Sequence, residues 1–204
     1  MRRQLQIFLV GLAVTASLGS TGQQTQRPSS QIPDVGRPTK NTDPLPLFDF
    51  ERYFLGRWTF EWDVPLSPLG PDGTIKGTTT YTKLADNFYE GVTEATGPEG
   101  PLKITETFAY RRENKTLARM VNDSRGFSYI QIGTIGGDLG GYYSVFFESA
   151  PFLFKGETIV LRTTLRLLSP VNYKVESRIS VDGGPATNFG SPWWQRDKAS
   201  APKP

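Results

Sequence analysis

From Trp58 onward the chain alternates between apolar and polar residues in a long series of short segments. In the first segment, Trp58, Phe60 and Trp62 occupy alternate positions and polar side chains fill the positions between them. Successive side chains of a β-strand point to opposite faces, so this alternation predicts strands that are buried on one side. Turn residues such as Pro71-Asp72-Gly73 separate the segments. The sequence therefore predicts an all-β domain.

About ten such segments follow one another at regular spacing. The predicted strands are 57–63, Thr74–Lys83, Asn87–Thr96, Leu102–Arg111, Thr116–Asn122, Phe127–Gly133, Gly141–Glu148, Glu157–Leu168, Tyr173–Val181 and Trp193–Arg196. Sequential hairpins of this kind favour an up-and-down antiparallel β-barrel, with a β-sandwich as the alternative. A closed barrel has the further property that it leaves no aromatic-rich edge strand exposed.

The regions on either side of this series have a different composition. Residues 1–22 have a basic start, an apolar core and small residues near their end, which is the pattern of a secretory signal peptide. Residues 23–46 are rich in Gln, Pro, Ser and Thr and predict a disordered linker, and residues 198–204 predict a flexible tail. The barrel domain is therefore expected over 47–197, with a short helix at 47–55 leading into it.

This organisation predicts a secreted or periplasmic protein after cleavage of the signal peptide. The apolar run of the leader is too short to span a bilayer, so no membrane span is expected in the mature chain. Loss of Arg2 and Arg3 with the leader leaves 21 basic against 20 acidic side chains, from 23 and 20 in the whole chain. Because no contiguous basic run remains, nucleic acid is not an expected partner.

The sequence contains neither Cys nor His. These absences exclude disulfides, thiolate nucleophiles, Ser-His-Asp triads and His-ligated metals or haem. The carboxylates show no spacing typical of a calcium-binding loop. No metal site and no cofactor is therefore expected.

The segment Leu55-Gly56-Arg57-Trp58 follows the predicted helix and opens the first strand. It resembles the Gly-x-Trp start of the calycins, which include lipocalins and fatty-acid-binding proteins, and is most similar to uncharacterised secreted bacterial families of that superfamily. The resemblance implies that Gly56 and Trp58 help to close one barrel end and that the indole packs against a cation from a late strand. Arg196 is the candidate for this cation and Arg178 the rival. The resemblance also implies a cup that holds an apolar ligand.

Strand parity predicts which side chains face the interior. With a tight turn between the two strands, Phe108 lies opposite Arg119, which is then diagonal to Glu106 on the apolar face. In the last large hairpin, Thr163 lies opposite Ser177 on the apolar side. The predicted ligand-binding residues are Trp58, Phe60, Trp62, Glu106, Phe108, Tyr110, Arg119, Thr163 and Ser177.

Glu106 and Arg119 allow two interpretations: an anchor for the head group of a ligand, or a structural ion pair. A register slip of one residue would place both on the outer face. The apolar inner face predicts a binding protein for a small apolar or amphipathic molecule. The alternative is an isomerase, cyclase or lyase with Glu106 as the general base, since no His or Cys is available. The third possibility is an interaction protein with a filled barrel and a partner surface near Trp193-Trp194.

Overall fold

The computed structural model describes residues 47–137 and 142–200, and these form one helix and twelve strands with a short 3-10 helix at Lys198–Ser200. The predicted leader and linker, residues 138–141 and the end of the predicted tail lie outside the described residues. The elements are α1 (Phe50–Phe54), β1 (Gly56–Val64), β2 (Gly73–Ala85), β3 (Phe88–Gly97), β4 (Gly100–Arg111), β5 (Thr116–Asp123), β6 (Phe127–Gly137), β7 (Tyr143–Ser149), β8 (Phe152–Phe154), β9 (Glu157–Ser169), β10 (Asn172–Val181), β11 (Thr187–Asn188) and β12 (Trp193–Arg196).

Ten of these strands close into an antiparallel ring. Its order is β1-β2-β3-β4-β5-β6-β7-β9-β10-β12, and β12 pairs again with β1. The prediction of an antiparallel barrel of about ten strands after a short helix is therefore confirmed. The two strands outside the ring, β8 and β11, were not predicted, because segments of two or three residues are too short to show alternation. Within the described ranges, no helix is long and apolar enough to cross a bilayer.

The strand registers predicted from parity are confirmed in two hairpins. Phe108 pairs with Arg119 across β4 and β5. Thr163 pairs with Ser177 across β9 and β10. Paired residues share a face of the sheet, and Phe108, Thr163 and Ser177 are buried, so this face of the four strands is the inner one. Arg178 lies on the exposed outer face of β10.

One end of the barrel, here called the helix end, is closed by α1. The Asp49 carboxylate accepts a hydrogen bond from the backbone N–H of Arg52 at 3.0 Å and so caps the helix. Phe50 and Phe54 are fully buried, and the Phe50 ring stacks on that of Tyr89 at 4.0 Å. These rings fill the mouth of the barrel with aromatic surface.

The last strand is tied to this end through Arg196. Its guanidinium lies 4.5 Å from the Trp58 ring and donates to the carbonyl oxygens of Arg52 and Leu55 at 2.8 and 2.7 Å. The Trp58 indole is fully buried and donates to the backbone carbonyl of the last helical residue at 2.7 Å. Gly56, with a φ of 115°, turns the chain from the helix into β1. These contacts join the first strand, the last strand and the helix.

The opposite end, here called the loop end, is closed by a smaller cluster. Its buried members are Leu69, Phe127, Ile159, Leu161, Ile179 and Phe189. Leu69 comes from the loop between β1 and β2, and its carbonyl oxygen accepts a hydrogen bond from Arg125 at 3.1 Å. Arg125 in turn donates to both carboxylate oxygens of Asp123 at 2.9 and 2.7 Å. One arginine therefore fixes the loop that covers this end.

Candidate functional site

A cavity of about 110 Å³ lies in the barrel between the helix end and the loop end. Its apolar wall consists of Phe60, Trp62, Leu69, Ile75, Ile104, Val121, Phe127, Leu161, Leu165, Val175, Phe189 and Trp194. Its polar wall consists of Thr79, Tyr81, Thr93, Glu106, Arg119, Asp123, Arg125, Tyr129, Thr163, Tyr173 and Ser177. Since a cavity of about 150 Å³ holds benzene, which has six non-hydrogen atoms, this smaller cavity has space for roughly four or five.

A buried ion pair occupies one side of this cavity. Arg119 Nη1 donates to Glu106 Oε1 at 2.9 Å, and the two side chains are only 10% and 11% exposed. Arg119 Nε donates to Gln131 Oε1 at 2.7 Å, and Gln131 Nε2 donates to the Leu161 carbonyl oxygen at 3.2 Å. The Arg119 guanidinium also lies over the Phe147 ring at 4.5 Å. The pair is therefore held rigidly by its neighbours on β6, β7 and β9.

Two tyrosine hydroxyls extend this polar network across the barrel. The hydroxyl oxygens of Tyr81 and Tyr173 lie 3.2 Å apart, and Tyr81 also interacts with Glu106. Burial raises the pKa of both tyrosines far above the ordinary value, so both hydroxyls keep their protons at neutral pH. Burial also raises the pKa of Glu106, and the opposing effects of Arg119 and Tyr81 offset this only in part. The cavity thus carries one carboxyl group whose proton affinity is increased.

Gly91 provides the space in which Tyr81 and Glu106 meet. A Cβ atom at this position would lie 2.7 Å from Tyr81 Cε1 and 3.2 Å from Glu106 Oε2. We expect Gly91→Ala to destabilise the fold by about 1–3 kcal/mol, because a buried ring has to move. Gly136→Ala is the matched control, since its Cβ atom would come no nearer than 3.5 Å to Phe146 Cε2. Chemical denaturation of both variants measures the difference, and equal stability would contradict the expectation.

The raised pKa of Glu106 predicts a pH dependence of stability. The folded chain binds this proton more tightly than the unfolded chain, whose carboxyl has the ordinary pKa of 4.5. The stabilisation is therefore complete below that pH and is lost as the pH rises through the folded-state pKa. We expect the free energy of unfolding of the natural protein, minus that of Glu106→Gln, to be largest below pH 4.5 and to fall as the pH rises above it. Urea denaturation at several pH values measures this difference, and a rise with pH would contradict the prediction.

The structure separates the predicted ligand-binding residues into two groups. Phe60, Trp62, Glu106, Arg119, Thr163 and Ser177 line the cavity. Trp58, Phe108 and Tyr110 instead pack in the aromatic cluster at the helix end. The reason is that the segment around α1 enters the barrel at that level. Phe50 and Phe54 lie against the Phe108 ring, and Phe48 lies against the Tyr110 ring. Trp58 donates a hydrogen bond to the Phe54 carbonyl oxygen.

Several polar cavity residues were not singled out from the sequence. Tyr81, Thr93 and Tyr173 line the cavity, and Gln131 supports Arg119 from the neighbouring strand. The sequence did contain an indication for Gln131, because this residue lies four positions after Phe127 and therefore on the same face of β6. The inward position of a polar residue on an otherwise apolar face would have indicated its role.

The two adjacent tryptophans of β12 point to opposite faces. Trp194 is buried, and its ring stacks on Phe60 at 4.4 Å and on Tyr173 at 5.6 Å. Trp193 lies on the outer face and is 43% exposed. Trp194 therefore belongs to the cavity wall, whereas Trp193 is available to solvent.

Within residues 47–137 and 142–200, no three acidic side chains converge in a way that could hold a metal ion. The charged groups on the cavity wall are Glu106 with Arg119 and Asp123 with Arg125, each pair joined directly. The geometry supports binding of a compact molecule by apolar contact, with polar groups to orient it.

The sequence matches no protein-family model, and no curated protein matches it significantly. Among solved structures, the chain is similar to Rv2717c from M. tuberculosis with a TM-score of 0.59 and 12% identity, over 71% of this chain and 93% of that one. A de novo designed fluorescence-activating β-barrel aligns with a TM-score of 0.42 and 15% identity, over 74% of this chain and all of that one. The redesigned barrel mFAP0, bound to DFHBI, aligns with a TM-score of 0.40 and 13% identity, over 71% of this chain and 99% of that one. The similarity to Rv2717c supports the barrel fold.

Proposed function

We propose that this protein binds a small apolar or amphipathic molecule in the interior of the barrel. The observation that carries the proposal is the cavity itself, because a small barrel is either filled by its own side chains or has room for one small ligand. Aromatic and aliphatic groups dominate its wall, and a few polar groups are fixed in position by hydrogen bonds. Ligand sites in proteins typically combine these two features.

The two parts of the wall have different roles in this proposal. Contact with rings such as Phe60 and Trp194 removes apolar ligand surface from water and supplies most of the affinity. Glu106 and Arg119 are held by neighbouring groups before the ligand arrives, so they orient it without a further loss of side-chain entropy.

A variant that fills the cavity tests the proposal. Val121 lines the cavity, whereas Val92 lies half-buried on the outer face of β3, so Val121→Phe and Val92→Phe form a matched pair. We expect native mass spectrometry of the protein from a secreting host to show a bound mass that is lost on denaturation. That mass should persist in Val92→Phe and disappear in Val121→Phe. If the bound mass persisted in both variants, the ligand would bind outside this cavity and the proposal would be contradicted.

We also propose that the protein is secreted or periplasmic, and the leader-like composition of residues 1–22 supports this. The same spectra test this, since the mass of the exported chain shows whether the leader has been removed. An uncleaved chain retained in the cytoplasm would contradict the proposal.

A second candidate function is acid–base catalysis by Glu106. It is favoured by one observation: a carboxyl group with a raised pKa faces the cavity beside the neutral hydroxyl of Tyr81. Arg119 and Tyr81 hold this carboxyl group in position on the cavity wall, where it can exchange a proton with a bound substrate. Once the bound molecule has been identified, its conversion by the natural protein can be measured. Catalysis is favoured if the natural protein converts the molecule and Glu106→Gln binds it without converting it. Binding without turnover in both would favour the binding function.

A further inference from the structure

The charges that face the cavity are already balanced within the protein. Glu106 Oε1 and Arg119 Nη1 lie 2.9 Å apart, and Asp123 Oδ2 and Arg125 Nη2 lie 2.7 Å apart. These four groups are the charged side chains of the cavity wall in the part of the chain that the structure describes. The charged part of the wall therefore consists of two ion pairs, each with no net charge.

This balance determines which ligand charges the cavity can accept. A carboxylate placed beside Arg119 would add a second negative charge next to Glu106, and an ammonium group would add a second positive charge next to Arg119. In either case an uncompensated charge would lose its hydration in a site of low dielectric constant. Charged ligands are therefore disfavoured, and neutral ligands are not.

Two hydroxyl groups on the β9–β10 wall have remaining hydrogen-bonding capacity. Thr163 and Ser177 lie opposite each other, face the cavity and are each only 6% exposed. Among the residues that the structure describes, neither side-chain hydroxyl has a hydrogen-bond partner, in contrast to Thr79 and Thr93, which bond to each other at 2.8 Å. A hydroxyl both donates and accepts, so either one can pair with a hydroxyl or a carbonyl oxygen of a ligand.

Building on the proposed binding function, we infer that the cavity selects uncharged molecules that carry a single hydroxyl or carbonyl oxygen on a compact hydrocarbon body. The size of the cavity limits the whole molecule to roughly four or five non-hydrogen atoms. The oxygen is placed at Thr163 and Ser177, and the hydrocarbon part lies against the aromatic wall. Hydrocarbons leave the two hydroxyls without a ligand partner, and ions introduce an unpaired charge.

A set of size-matched probes tests the inference. Cyclobutanol, cyclobutanone, methylcyclobutane and the cyclobutylammonium ion have the same number of non-hydrogen atoms, and cyclopropanecarboxylate has one more. Titration of each into the natural protein with a 13C-labelled Thr163 methyl group gives the dissociation constants by NMR. We expect the alcohol and the ketone to bind at least about tenfold more tightly than either ion and about threefold more tightly than the hydrocarbon.

Variants of Thr163 and Ser177 test where the oxygen atom of the ligand binds. Thr163→Val combined with Ser177→Ala should weaken cyclobutanol binding about fivefold and leave methylcyclobutane binding unchanged, because only hydroxyl groups are removed. Thr164→Val, on the outer face of the same strand, is the control and should change neither. For all measurements on these variants the 13C label is placed on the methyl groups of Val121, a residue that lines the cavity and is not replaced.

The possible outcomes distinguish this inference from the proposed function. Tighter binding of the carboxylate or the ammonium ion would overturn the neutral-ligand inference while supporting an interior binding site. Equal binding of alcohol and hydrocarbon, unaffected by the double variant, would also overturn it. If no probe binds and native mass spectrometry shows only the bare chain, both the inference and the proposed function fail.

Discussion

Replacing Arg119 with methionine is expected to destabilise the barrel by about 3–5 kcal/mol at neutral pH. The substitution keeps most of the side-chain volume but leaves Glu106 buried without its cation. It also removes the donor to Gln131 Oε1 and the cation from above the Phe147 ring. Urea denaturation measures the loss, which should shrink in acidic solution, where Glu106 becomes protonated and neutral.

A double variant separates the charge effect from the packing effect. Glu106→Met combined with Arg119→Met removes both charges, so most of the loss should be recovered even though the hydrogen bonds are gone. As the control, Arg162→Met breaks the ion pair with Glu148 on the outer face, where both side chains are more than half exposed. That change should leave the denaturation midpoint almost unchanged. A double variant as unstable as Arg119→Met alone would show that packing, not the uncompensated charge, causes the loss.

Removal of the Trp58 indole is the second change with a large expected effect, about 3–5 kcal/mol for Trp58→Ala. The ring is fully buried, packs against Tyr173 at 4.8 Å and carries the Arg196 guanidinium on its face. Its loss leaves a cavity directly beneath α1 and removes the donor to the last helical carbonyl. Thermal and chemical denaturation, followed by circular dichroism, measure the change.

Trp193→Ala is the matched control, because it deletes the same side chain from the outer face of β12. This indole is 43% exposed, so its removal should cost no more than about 1 kcal/mol. If both substitutions lowered the free energy of unfolding equally, the proposed contribution of the buried Trp58 ring to stability would be contradicted. Binding of the cavity probes to Trp58→Ala gives a second measurement, since Trp58 lies outside the cavity wall and folded molecules should retain their affinity.

Alternation along the chain was sufficient to predict the fold and the inward face of the strands. It placed Arg119 opposite Phe108 and Thr163 opposite Ser177, because in a tight hairpin the pairing register follows from the turn length. It therefore predicted which side chains share the interior, including the Glu106–Arg119 pair.

Alternation could not predict the position of a side chain along the barrel axis. Trp58, Phe108 and Tyr110 have the inward parity of cavity residues, yet Phe48 and the rings of α1 pack with them in one cluster. The depth to which a helix enters a barrel depends on the packing of distant residues, which no local pattern records. The same applies to Leu69, which reaches the loop end from a connection without any periodicity.

Closure of the ring also affects how the chain folds. The hydrogen bond between Arg196 and the Leu55 carbonyl oxygen joins residues 141 positions apart, and β1 and β12 pair over a similar separation. Contacts this distant in sequence carry a large entropy of loop closure, and proteins dominated by them fold in milliseconds to seconds rather than microseconds. During synthesis β1 remains without its second neighbour until residues 193–196 have been made. The native state is therefore reached only after translation of the last strand.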